Sequence, residues 1–194
     1  MGFVGIAGCF GILAVFVIAL VVIVITLYNK LVGLKNRAEN AWADIDVQLK
    51  KRYDLIPNLV ETVKGYASHE SETLENVIKA RQQAIQVTDD VAKMAQAENV
   101  LTQALRQLFA VAESYPDLKA NQNFLELQAS LEKIENDLSD SRRYYNAVVR
   151  DLNTTVEKVP TNFVAMLFHF TKREYFEIED VAQKEAPKVD FGKS

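Results

Sequence analysis

Cysteine is almost missing from this sequence, and the one present, Cys9, lies inside an apolar run. That excludes a disulfide-stapled secreted module and leaves no thiol for chemistry in water. Charge is absent from Phe3 to Leu27, which excludes a wholly soluble protein. Glycine is scarce beyond that run, at Gly33, Gly65 and Gly192 only. The body therefore has no glycine-rich loop to cradle a phosphate and no Gly-x-Ser-x-Gly elbow. Histidine is scarce too: His69 and His169 are far apart, and neither belongs to Glu-x-x-His or His-Glu-x-x-His. No long basic block occurs, and the net charge is −4, a poor basis for holding nucleic acid. The expectation is a protein that is not an enzyme and carries neither cofactor nor metal.

What is there is an apolar end joined to a charge-rich body. A hydrocarbon core about 30 Å thick needs about 20 helical residues, and Phe3–Leu27 exceeds that. A cleaved signal peptide would want a basic start and a small-residue cleavage site, which Met1-Gly2-Phe3 and the Val/Ile-rich stretch from Val15 to Ile25 do not offer. Ile6-Ala7-Gly8-Cys9 reads like a lipoprotein processing site, but too few apolar residues precede it. Ile6 also stands where myristoylation wants Ser or Thr. An uncleaved span is expected. Lys30, Lys35 and Arg37 follow it and no base precedes it, so the positive-inside rule places the body in the cytoplasm and a short stub outside. Gly5–Cys9 and Ala7–Gly11 are small-residue pairs that permit close helix contact.

Beyond the span, apolar residues recur at steps of three and four, the helical interval. Leu31, Leu34, Ala38, Trp42, Ile45 and Leu49 stay in phase with the span, predicting one helix that leaves the membrane without a hinge. Proline disfavours helix before it and suits a first helical position, so the helix is expected to stop at Tyr53–Pro57 and Pro57 to open the next. That second helix carries Leu59, Val63, Tyr66, Leu74, Val77 and Ile78 to about Val87, with a kink near Gly65. Thr88-Asp89-Asp90 caps a third, with Met94, Leu101, Leu105, Leu108 and Val111 inward, ending at Tyr115-Pro116-Asp117. The fourth runs from Phe124 to about Glu157. The predicted fold is all-α: a transmembrane helix continuous with an antiparallel up-and-down bundle of four long helices. The expected divisions are 1–27 for stub and span, 28–158 for the bundle, and 159–194 for an aromatic C-terminal segment.

Polar residues break this pattern in places. Asn121, Gln128, Glu135 and Arg142 repeat every seventh residue, as do Asn146 and Asn153. Asp46 and Arg52 border the first stripe, and Arg81 falls near the second. Such residues make either a solvated face or a paired network that fixes register. Asp46, Arg52, Arg81, Glu135, Arg142 and Asn146 are the candidates for a register-setting or inter-subunit network. An even number of antiparallel helices returns the chain to the bilayer near Pro160. There Phe163, Phe168, Phe170, Tyr175 and Phe176, with Lys172 and Arg173, suit a headgroup region or equally close the bundle's open end. Pro187–Phe191 reads as extended, with Phe191 as an anchor.

Several runs carry a resemblance. Ala41-Trp42, Ile45-Asp46-Val47-Gln48-Leu49-Lys50, Arg52-Tyr53-Asp54-Leu55-Ile56-Pro57-Asn58-Leu59-Val60, Val63-Lys64-Gly65-Tyr66-Ala67 and Ser141-Arg142-Arg143-Tyr144-Tyr145-Asn146 resemble the LemA family. So do Tyr28-Asn29, Ala80-Arg81, Ala120-Asn121, Phe168-x-Phe170 and Pro187-x-Val189-x-Phe191. The resemblance implies a single-pass protein of the bacterial inner membrane with a cytoplasmic helical bundle. It does not fix an activity. Relatives beside membrane metalloproteases of the HtpX type and TPM-domain proteins, and a branch serving magnetosome membranes, imply partners of that kind and a place in envelope organisation. The expected function is a membrane-anchored, non-enzymatic, self-associating scaffold or adaptor in contact with membrane lipid. The alternative is a sensor or ligand-binding bundle regulating a membrane partner such as a metalloprotease, with a pocket of Tyr66, Tyr144, Tyr145, Arg81 and Arg142.

Overall fold

The computed structural model describes residues 2–87 and 90–176, with side chains from residue 11 onward. The side chains of Cys9 and its small neighbours before residue 11, together with Thr88-Asp89 and the Pro187–Phe191 tail, lie outside that description. The described residues form helices and no strand: α1 (Gly2–Lys64), α2 (Ser71–Gln86), α3 (Val91–Ala112), α4 (Pro116–Lys119), α5 (Gln122–Glu157) and α6 (Thr161–Leu167). The all-helical expectation holds.

α1 begins with a stretch of mean hydropathy 3.0, long and apolar enough to cross a membrane. Ile12, Phe16 and Ile18 stand 62–74% exposed along it, a surface that suits hydrocarbon better than water. The helix then continues through Tyr28–Asn36 without a break. Leu31, Ala38, Ile45, Arg52 and Leu59 recur every seventh residue on one line, each fully buried. Arg52 therefore stands in the middle of the seam, not at its border.

Pro57 lies inside α1 and does not start a helix, correcting the expected boundary. Proline removes one backbone donor, which leaves the carbonyl of Tyr53, four residues earlier, without its helical partner. Arg81 supplies the replacement: its Nε donates to the Tyr53 carbonyl at 2.8 Å. Burial of Ile56, Leu59, Val60 and Val63 on the same side then holds the helix through the proline. The break comes at Gly65–Glu70, where glycine and a polar run have low helix propensity. As a result α2 has only 16 residues, shorter than the expected second helix.

Asp90 caps α3, its carboxylate accepting from the Lys93 amide at 2.9 Å. That bond is the main reason its pKa lies below the ordinary carboxylate value. Pro116 opens the short α4 at its first position. Asn121 performs the capping role for α5, accepting from the Phe124 amide at 3.0 Å.

The chain divides into two compact units. A central unit comprises Gln48–Asn136, with which Tyr175 and Phe176 group; a span-bearing unit comprises the chain up to Val47 together with Asp137–Glu174. The central core gathers Ile56, Leu59 and Val63 of α1, Leu74 and Val77 of α2, Leu101, Leu105 and Leu108 of α3, Leu118 of α4, and Phe124 and Leu131 of α5. In the span-bearing unit Leu31, Val164 and Ala165 form a small core, against which Val24, Leu27, Val156 and Phe170 pack.

Candidate functional site

The central unit buries a charged node among apolar helices. Arg52 is fully buried, and its Nη1 donates to Glu98 Oε2 at 2.6 Å. Its Nη2 donates to Thr102 Oγ1 at 2.8 Å and lies 2.7 Å from Glu135 Oε1. The Tyr53 hydroxyl donates to the other oxygen of Glu98. Through these bonds α1, α3 and α5 meet at one guanidinium, and Arg81 of α2 ties the Tyr53 carbonyl beside it. The planar fork of arginine suits this work, because it can serve two carboxylates and a hydroxyl at fixed angles.

Both terminal nitrogens of Arg52 are engaged, while its buried Nε has no hydrogen-bond partner among the described residues. Bringing Arg52 and Glu98 out of water costs several kcal/mol per ion, offset only because each has strong partners. Such a cluster adds little net stability but penalises every helix register that separates its members. No group of three or more His, Cys, Asp or Glu side chains is placed to hold a metal among the described residues.

Of the residues singled out from sequence, Arg52, Glu135 and Arg81 come together here. Asp46 lies in the span-bearing unit, exposed on α1, with partial burial raising its carboxyl above the ordinary value. Arg142 and Asn146 lie on α5 in that unit, the first buried and the second half-buried, and neither is free.

Glu98, Thr102 and the Tyr53 hydroxyl were missed. Glu98 had a signal: it fills the step between Met94 and Leu101, in sevenfold phase with Leu105 and Ala112, where an apolar residue belongs.

Two further polar pairs fasten the central unit. The Tyr115 hydroxyl donates to Glu70 at 3.0 Å, and this carboxylate contact raises its pKa. Asn121 Nδ2 donates to the Tyr66 hydroxyl at 2.9 Å.

The span-bearing unit uses its polar groups differently. Asn153, on α5, accepts from the Arg173 amide through Oδ1 and donates to the Arg173 carbonyl through Nδ2, both at 2.9 Å. The Tyr145 hydroxyl donates to the Glu174 carbonyl at 3.0 Å, and burial raises its pKa. Arg173 itself reaches Glu39 at 2.7 Å.

The aromatic segment divides in two. Tyr28 packs against Phe168 and Phe170 at ring-centroid distances of 4.7 and 5.7 Å, and Phe176 is buried. Phe163 and Tyr175 are exposed.

Clefts among the described residues of the span-bearing unit include the following two. One, of about 400 Å³, is lined by Tyr28, Lys35, Phe168, His169 and Arg173 among others. The other, of about 320 Å³, is lined by Lys30, Leu34, Arg150, Asp151, Thr154, Thr155 and Lys158. Neither is lined by Tyr66, Tyr144, Tyr145, Arg81 or Arg142, the residues expected around a ligand.

Comparison with known proteins places these features in a family. The LemA family model matches residues 41–191, a stretch that includes the whole node. The chain belongs to the LemA family. It is similar to Protein LemA of Metamycoplasma hominis, at 24% identity over 86% of this chain and 74% of that protein. It is also similar to Magnetosome protein MamQ of Magnetospirillum gryphiswaldense, 23% identical over 84% of this chain and 71% of the relative. Magnetosome protein MamQ 2 of Paramagnetospirillum magneticum is 22% identical over 83% and 68%.

Proposed function

We propose that this LemA-family chain is a membrane-anchored, non-enzymatic helical scaffold that self-associates and organises membrane partners. The observation that carries this reading is the node: Arg52, Glu98 and Glu135 bind one another across three helices, which supports a role in holding shape. The helix from the span to Lys64 supplies the anchor. An antiparallel pairing of α1 with α5 is supported within each unit. In the span-bearing unit Trp42 packs at a tilt against Tyr145, ring centroids 5.3 Å apart, while Leu31 clusters with Val156, so α5 runs antiparallel to α1. In the central unit Arg52 meets Glu135 and, farther on, Tyr66 meets Asn121, again antiparallel.

Lys30, Lys35 and Arg37 favour a cytoplasmic body and an outer stub in the bacterial inner membrane. The names of the magnetosome relatives favour a role in organising a membrane compartment. A membrane metalloprotease or a TPM-domain protein is the partner class proposed.

The test is photo-crosslinking in cells from exposed positions such as Val47 on α1 and Leu125 or Tyr144 on α5. Crosslinked copies of this chain, or a defined membrane partner, are expected. A chain that stays monomeric in detergent and captures nothing in cells contradicts the scaffold.

A further inference from the structure

The strongest unassigned feature is the cleft of Lys30, Arg150 and Lys158. None of these three cations has an ion pair among the described residues. Asp151 is the carboxylate in the lining, and Thr154 adds an exposed hydroxyl. The lining is therefore net positive at about 320 Å³. The second cleft differs, because its Arg173 is already bound to Glu39, with Lys35 4.0 Å from the same carboxylate.

The position of the cleft is fixed by the span. Lys30 follows the last apolar residue, Leu27, by three residues, which is about 4.5 Å of helix rise. Val24 and Leu27 of that apolar run pack against the cluster that contains Val164 and Ala165 of α6. α6 is thus docked at the depth of the final turns of the span. Its other face presents Phe163, Met166 and Leu167 at 65–74% exposure. At that depth such a face meets acyl chains, as an in-plane interfacial helix does.

We infer that Lys30, Arg150 and Lys158 form a binding site for the phosphate of an anionic phospholipid, while α6 lies against its acyl chains. Cations at the headgroup level attract anionic lipid, and the Asp151 carboxylate opposes part of this. The Thr154 hydroxyl can donate to a phosphate oxygen. The inference rests on the reading that α1 spans the bilayer, and goes beyond it by naming the lipid class and the residues.

The full chain, purified in a nonionic detergent with equal phosphatidylglycerol and phosphatidylcholine, tests this by native mass spectrometry. Wild type is expected to retain phosphatidylglycerol over phosphatidylcholine by roughly tenfold. A chain with Lys30→Gln, Arg150→Gln and Lys158→Gln, all at exposed positions, is expected to lose the preference with unchanged helicity. Equal retention of the two lipids by wild type overturns the inference, as does a preference that survives in the variant. Displacement of the lipid by millimolar inorganic phosphate would assign the cleft to a soluble anion and overturn the lipid reading. In a Trp42→Phe background, Leu167→Trp is expected to give fluorescence quenched by brominated acyl chains in reconstituted vesicles, and quenching only from water overturns the placement of α6. Alkaline carbonate extraction separates the two levels: release from membranes removes the span and the inference together, whereas retention without lipid preference removes the inference alone.

Discussion

The two units bury polar side chains for different ends. In the central unit, Arg52, Glu98 and Glu135 join helix to helix by charge. In the span-bearing unit, Asn153 and Tyr145 join a helix to the backbone that follows α6. A charge pair depends on which side chains face each other, so it fixes register. A side-chain amide bracketing one residue's N–H and C=O is blind to that residue's side chain, so it fixes the path of a segment. The comparison teaches that a polar residue in an apolar seam has to be judged by its partner, not by its own polarity.

The largest effect should come from breaking the charged node. Glu98→Ala leaves a buried guanidinium short of its main partner and is expected to cost about 3–5 kcal/mol, measured by thermal or urea unfolding of the detergent-solubilised chain. Replacing Arg52 with Met and Glu98 with Leu together should recover most of that loss. Full loss in the double variant would mean the site needs the charges themselves.

Next is the proline. Arg81→Met leaves the Tyr53 carbonyl without a donor, an expected cost of about 1–3 kcal/mol. Pro57→Ala returns a helical N–H to that carbonyl, so the combined variant should be closer to wild type than Arg81→Met alone. Simple additivity of the two changes would refute the compensation.

Asn153→Ala should act mainly in the span-bearing unit. It removes both bonds to Arg173 and is expected to speed amide exchange across residues 171–174 while leaving exchange around Arg52 unchanged. Equal acceleration in both places would erase the distinction between the units.

The smallest effect concerns Asp46. Burial raises its folded pKa above the unfolded value, so the folded state binds more protons across that interval. Its ionised form therefore weakens folding above the folded pKa, and the penalty fades as pH falls through it toward the unfolded value. Asp46→Asn should stabilise the chain at pH 7 by less than about 0.5 kcal/mol, because the carboxyl is largely solvated. The gain should vanish at a pH below the ordinary carboxylate range.

Much of this was legible in sequence because the helical interval is a local and repeated signal. The stripe of Leu31, Ala38 and Ile45 and the Asp90 cap could both be read from neighbours along the chain. Pro57 could not, because the donor that rescues its helix comes from Arg81 on another helix. Glu98 was hidden for a similar reason. A carboxylate on a helix is ordinarily solvated, and only its phase with Met94 and Leu101 argued otherwise. Asn153 was visible as a seventh-residue repeat of Asn146, yet its partner is the backbone of Arg173, which carries no sequence mark.

The account turns on Arg52 holding α3 and α5 to α1, and the most direct measurement is the coupling energy between Arg52 and Glu98. In a double-mutant cycle with Arg52→Met and Glu98→Leu, a coupling of about 2 kcal/mol or more is expected for a buried pair in contact. Independent losses that sum to the double variant's loss would show that the two charges do not bind the helices to one another.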